Sequence, residues 1–126
     1  MVLIFGGVYQ GKLDYALNRF MADENDIYRC CAADTAMPAN KKIIYEIDKW
    51  ILALVKIKAD VPELLQKFIK ANAESVVICN DISCGVVPVD SQMRIWREAT
   101  GRAITGLSQV STEVVRMFCG IPARLK

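Results

Sequence analysis

The chain has 126 residues, 53% of them hydrophobic and 24% charged, which suffices for one cooperative core over residues 1–126 and is too little for two ordinary domains. Sixteen basic residues against 14 acidic ones leave a formal charge of +2 spread along the sequence, so no basic stripe points to nucleic acid or to an anionic membrane. The longest apolar run, Trp50 to Val55, is far short of the roughly 20 residues that cross a bilayer, and no basic segment precedes the apolar start, so a soluble, cytoplasmic protein is expected.

Val2 to Phe5 (VLIF) is a short apolar run closed by Gly6 and Gly7, the pattern of a buried parallel strand entering a tight turn. Lys12 to Met21 follows with Leu13, Ala16, Leu17 and Phe20 at helical spacing. Ile27 to Ala32 reads as a second strand and Lys42 to Ile47 as a third, with Asp48 placed to cap a helix beginning at Lys49 or Trp50. A second helix is predicted from about Pro62, and Ser75 to Cys79 is the clearest strand, with Asn80 and Asp81 at its end. Asp90 to Val110 forms a long amphipathic pattern carrying Met93, Trp96, Ala99, Ala103, Leu107 and Val110 on one side, with Gly101 and Gly106 as sites of a bend or a close contact. Glu113 to Cys119 and Ile121 to Lys126 read as two strands around a glycine turn. Strands alternating with helices predict an α/β fold with a mainly parallel sheet.

Chemistry is suggested first by what is missing. There is no histidine, which removes the commonest general base and metal ligand. The five cysteines, at 30, 31, 79, 84 and 119, form no C-x-x-C, and four lie in or beside apolar runs, where a thiol acts as a small buried hydrophobe in a reducing compartment.

Gly6, Gly7, Val8, Tyr9, Gln10, Gly11 and Lys12 satisfy the first seven positions of the phosphate-loop pattern G-x-x-x-x-G-K-[ST], and Leu13 stands where a magnesium-binding hydroxyl belongs. Such a loop between a first strand and a first helix gathers backbone N–H groups and the positive end of the helix on an anion. Lys12 would reach the β and γ phosphates; as plain turn residues the glycines would serve packing and Lys12 would be solvated. A strand-end carboxylate should assist catalysis or hold Mg²⁺, with Glu46, Asp48 and Asp81 as candidates, although Asp48 also reads as an N-cap and Glu46 as a solvated edge residue. Arg94, Arg97 and Arg102 are placed as phosphate-neutralising lid residues, or, for Arg94 and Arg102, as i, i+4 partners of Glu98 on an exposed face. Trp50 and Trp96 fit core anchors better than substrate platforms.

The order GG-x-x-x-GK, then IIYEID running into an apolar helix, then VVICND-x-x-x-GVVP, then a helix with Arg94, Arg97 and the Gly101-Arg102 pair, resembles the bifunctional adenosylcobinamide kinase and adenosylcobinamide-phosphate guanylyltransferase family of cobalamin biosynthesis. The resemblance implies a P-loop NTPase-like, three-layer fold, ATP or GTP with Mg²⁺ as cofactors, cobinamide as the acceptor, and a homotrimer. It also implies nucleotide binding by residues 6–13 and an acidic residue before the helix, which falls on Glu46 or, with a short gap, on Asp48; together with the strand-end reading this makes Lys12, Glu46 and Asp48 the catalytic candidates and Glu46 and Asp81 the metal candidates. This chain departs from the family at Leu13 in place of Ser, at Val89 and Asp90 in place of Glu-Asn, and at Ile104 and Thr105 in place of Asn-Gln. The family's covalent guanylyl transfer uses a histidine between the second and third strands, where this chain is shorter and has none. The expectation is a kinase-like nucleotide-binding protein without guanylyl transfer, or a non-catalytic regulatory or scaffold homologue.

Overall fold

The computed structural model describes residues 1–82 and 87–126. The elements in chain order are β1 (Val2–Gly6), α1 (Lys12–Arg19), β2 (Ile27–Arg29), β3 (Ile43–Tyr45), α2 (Ile47–Lys56), α3 (Val61–Ala71), β4 (Val76–Asn80), α4 (Ser91–Val110), β5 (Glu113–Phe118) and β6 (Ile121–Arg124). One turn of 3-10 helix at Glu24–Asp26 leads into β2. The sheet order is β2-β3-β4-β1-β5-β6; every pairing is parallel except the last, where β6 runs antiparallel to β5.

The continuous apolar character of β1 and β4 follows from being covered on both faces. The register aligns Leu3 with Val77 and Val114, and that row meets Trp50, Leu54, Phe68 and Leu107 from α2, α3 and α4. The alternate row, Ile4 with Ile78 and Val115, meets Ala16 of α1 with Leu13, Leu17 and Phe20 packed around it. The result is three layers, α1 on one face and the other three helices on the opposite one. Trp50 is a core anchor, its ring 5.5 Å from that of Phe68 and its indole N–H donated to the Thr35 carbonyl at 3.2 Å.

Side-chain caps start two of the four α-helices among the described residues, α3 and α4. The Asp60 carboxylate accepts from the Glu63 N–H at 3.1 Å with Pro62 in the first turn, and Asp90 accepts from the N–H groups of Gln92 and Met93 at 2.8 and 3.1 Å. Helix α4 runs unbroken through Gly101 and Gly106; a Cβ on Gly106 would lie 3.7 Å from Leu65 Cδ2, so this glycine marks the close approach of α3. Met93 and Val110, expected on the buried side of α4, are exposed, because its buried stripe is Thr100, Ala103 and Leu107 and the two ends overhang the sheet. Strands β2 and β3 are shorter than their apolar runs, since only three residues of each find ladder partners.

Cys30 and Cys79 are buried, and burial pushes Cys30 up to about 12 and Cys79 well above the ordinary thiol value. Neither is a thiolate nucleophile at neutral pH. Cys31 and Cys119 are exposed rather than buried, because each lies in a turn just past a strand end; Cys84 lies outside the described residues.

Candidate functional site

The chain leaving β1 turns onto one face of the sheet, while the chain leaving β3 and β4 turns onto the other. A crevice opens beyond the carboxyl ends of the strands at such a switch point. The β1–α1 loop forms one wall. Gly6 at φ 153° and Gly11 at φ 83° take backbone conformations that side chains resist, and between them Tyr9, at φ 61° and 99% exposed, stands out at the loop's tip. Gly6 also lies against β5: a Cβ there would sit 2.4 Å from the Met117 carbonyl oxygen. Gly11 offers no side-chain cap to α1, leaving the helix's first N–H groups and its dipole directed at the loop.

Lys12 opens α1 and is only 4% exposed. Its ammonium donates to the Gly7 carbonyl at 2.5 Å, so the lysine folds back across its own loop instead of being solvated. Burial holds it below the ordinary ammonium value of 10.5, while the nearby Asp48, Cys79 and Glu46 pull the other way.

The carboxylates come from the opposite wall. The expectation of Asp48 as the helix cap is corrected here: α2 begins at Ile47, and Glu46 precedes it in the left-handed region at φ 59°. Asp48 therefore falls in the first turn, 2% exposed, facing β4. Its carboxylate accepts from the Asn80 backbone N–H at 3.0 Å and from the Asn80 side-chain amide at 3.3 Å. The same amide reaches the Glu46 carboxylate at 3.3 Å, which also holds Lys49 at 2.8 Å. Burial raises Asp48 above its ordinary value, resisted by the bonds from Asn80. Glu46 is thus a member of a buried-edge network rather than a solvated edge residue.

These groups share one crevice of about 730 Å³, its polar lining including Lys12, Glu46, Asp48 and Asn80 and its apolar lining Leu13, Ala32, Leu52 and Trp96. Trp96, better suited by sequence to a core anchor, is half-buried on this wall and donates its indole N–H to the Asp48 carbonyl at 2.7 Å. Asp81 is tied to the same region by its N–H, which donates to the Gly6 carbonyl at 2.8 Å, while its neighbours Asn80 and Ile82 line the crevice. Among the described residues, no three of His, Cys, Asp and Glu assemble into a metal-binding group.

Arg94, Arg97 and Arg102 line a different hollow, of about 400 Å³, on α4 with Glu98 and Thr105. Of the two ion pairs their spacing allowed, Arg102 meets Glu98 at 2.6 Å, whereas Arg94 donates to the carbonyls of Pro88 and Val89 at 3.1 and 2.5 Å.

Asn80 has no role in the sequence reading, and Trp96 reads there as a core anchor and not as part of the site. Asn80 carried one signal, its position at a strand's carboxyl end; the bond from Trp96 to Asp48 spans 48 residues and leaves no local trace.

A mainly parallel sheet between helical layers, with a glycine-bounded loop and lysine after its first strand, is an α/β, three-layer fold of the P-loop NTPase-like kind. The family model for cobinamide kinase / cobinamide phosphate guanyltransferase matches residues 34–125, and the chain belongs to that family, which gives it a cobinamide kinase/guanyltransferase-like role in cobalamin biosynthesis. The matched stretch carries Glu46, Asp48, Asn80 and α4, while the β1–α1 loop precedes it. A search of curated proteins finds no match. No helix among the described residues is long and apolar enough to cross a membrane.

Proposed function

We propose that this chain is a cobinamide-kinase-like protein that binds ATP or GTP at a degenerate phosphate loop, residues 6–13, and does not carry out guanylyl transfer. The observation that supports it best is a lysine and an aspartate, both more than nine-tenths buried, brought into one crevice at the strand ends from opposite walls. Such a placement is costly for stability and typical of sites that handle charge. On this reading Lys12 and the loop N–H groups hold the phosphates. Asp48, whose affinity for protons burial raises, accepts a proton from the acceptor hydroxyl, and Asn80 fixes its orientation.

The residues present do not build a self-sufficient magnesium cage. Leu13 lacks a hydroxyl, and Lys49 and Asn80 already engage Glu46. The ion in this class is held largely by substrate phosphates and one or two carboxylates, so we assign Glu46 and Asp81 to a Mg²⁺ ion that arrives with the nucleotide. Guanylyl transfer is left out because the family's route requires a histidine and this sequence has none. We further propose a cytoplasmic homo-oligomer, a trimer on the family's pattern, with residues 1–126 acting as one domain and Arg94, Arg97 and Arg102 available as phosphate-neutralising groups. A non-catalytic homologue is the second reading, favoured by Leu13 and by the engagement of Lys12 with its own loop.

Calorimetry with non-hydrolysable ATP and GTP analogues, with and without Mg²⁺, tests the proposal. One of them should bind, and Lys12→Ala should weaken it at least about tenfold, the scale of a charged hydrogen bond. Absence of binding by both overturns the nucleotide reading. Phosphate transfer to cobinamide, lost in Lys12→Ala, separates the kinase from the non-catalytic homologue.

A further inference from the structure

Strand β6 contributes little to either core: all four of its residues, Ile121 to Arg124, are exposed, and it pairs only with β5. What the β5–β6 hairpin does hold is the β1–α1 loop. The Gln10 side-chain oxygen accepts a hydrogen bond from the Cys119 backbone N–H, and the Gln10 carbonyl accepts one from the Gly120 N–H at 3.2 Å. Both donors belong to the turn between β5 and β6, and both sit at positive φ, 51° for Cys119 and 75° for Gly120. The two backbones also touch, since a Cβ on Gly11 would lie 3.6 Å from the Gly120 Cα. On the loop's inner side, the Gln10 stem covers Gly7, whose carbonyl receives Lys12.

We propose that Gln10 is a positioning residue: by clamping the β1–α1 loop to the β5–β6 turn, it fixes the backbone shape that receives phosphate, and β6 is present to form that turn. This inference rests on the nucleotide reading above. The Gln10 side chain is spent on Cys119 and Gly7 and not on the phosphate itself. It acts through Gly11 and Lys12, which follow it directly, and the clamp spans 109 residues of sequence, so the end of the chain controls a site near its start.

Two measurements on the full chain test this. Amide-resolved hydrogen exchange should show the Cys119 N–H exchanging about tenfold faster in Gln10→Met, which keeps the length of the side chain but removes its acceptor. Gln10→Glu, which keeps an acceptor oxygen, should preserve slow exchange. Calorimetry with the ATP or GTP analogue should show binding weakened about tenfold in Gln10→Met at an unchanged melting temperature. Unchanged Cys119 exchange in Gln10→Met overturns the clamp; faster exchange with undiminished binding overturns its positioning role. If the wild-type chain binds neither nucleotide, the functional reading fails by itself, and exchange still decides whether Gln10 holds the loop.

Discussion

Replacing the loop's three glycines one at a time by alanine should produce a graded loss of stability that the backbone dictates. A Cβ on Gly6 would lie 2.4 Å from the Met117 carbonyl oxygen, and Gly6 is paired on both sides, with Met117 of β5 and Asn80 of β4. Relief therefore requires parting two central strands by roughly half an ångström, and crowding of that kind in a packed interior costs about 1–3 kcal/mol. Gly6 also holds φ at 153°, and forcing a side chain into such a region adds about 1–3 kcal/mol. The sum, about 2–6 kcal/mol, is a large share of a typical stability of about 5–15 kcal/mol. At about 4 °C per kcal/mol for a chain of this size, thermal melting followed by circular dichroism should fall by about 8–24 °C in Gly6→Ala. Gly11, at φ 83° with only ordinary contact to Gly120, should lose about 1–2 kcal/mol. Gly7, without a positive φ and with its nearest neighbour a Gln10 methylene at 3.5 Å, should change by about 0.5 kcal/mol or less. A Gly6→Ala variant melting within about 3 °C of Gly7→Ala would refute the close approach of β1 and β5 on which this order depends.

Two further outcomes follow from single side chains. Arg19 grips Glu113 through two bonds of 2.6 Å and holds that carboxyl below its ordinary 4.5, so the pair's contribution is full above that value and is lost as pH falls through the lower folded value. Glu113→Gln should therefore melt about 2–4 °C lower at pH 7, the effect of a well-formed surface pair worth about 0.5–1 kcal/mol, and the gap should narrow progressively as pH falls below 4.5; a gap that does not narrow on acidification would assign the loss to packing. Leu13→Ser restores a hydroxyl beside Lys12 and should strengthen Mg²⁺-dependent binding of the nucleotide analogue in calorimetry, whereas equal affinity with and without Mg²⁺ would show that the crevice does not bring a metal to position 13.

The strands and helices were legible because their signals are local. Apolar runs in β1 and β4 and the 3.6-residue spacing in α1 and α3 depend on neighbours a few positions away, and so does Asp90 at the start of α4. The start of α2 was misread for a physical reason: aspartate is a good cap and glutamate rarely adopts φ 59°, so sequence favours Asp48 where the fold uses Glu46. That two-residue shift matters, since it turns Asp48 from a surface cap into a buried partner of Asn80. Lys12, Glu46 and Asp48 were legible as candidates because crevice residues follow strand ends. What joins them, Asn80 across 32 residues and Trp96 across 48, is set by sheet order and helix docking, which no local window contains. For the α4 arginines the spacing offered two equal pairings, and the carbonyls of Pro88 and Val89 decided between them.

On the nucleotide reading proposed above, the buried charges at the crevice are what an anion site would use. Asp48 favours the charged form of Lys12, yet burial has the larger effect on each group: it lowers the lysine and raises the aspartate, the latter against the bonds from Asn80. Two opposite charges that stabilised the fold by pairing would move the other way, each favouring its ionised form. Here desolvation outweighs the attraction, since the Lys12 ammonium bonds the Gly7 carbonyl and the Asp48 carboxylate is held by Asn80, so the two are not joined as an ion pair. A phosphate brought to the loop would reverse that balance at Lys12, supplying the close anion that Asp48 does not, while leaving Asp48 held by Asn80 and disposed to accept a proton. On the reading proposed above, an anionic ligand bound at this crevice stabilises the fold by mass action.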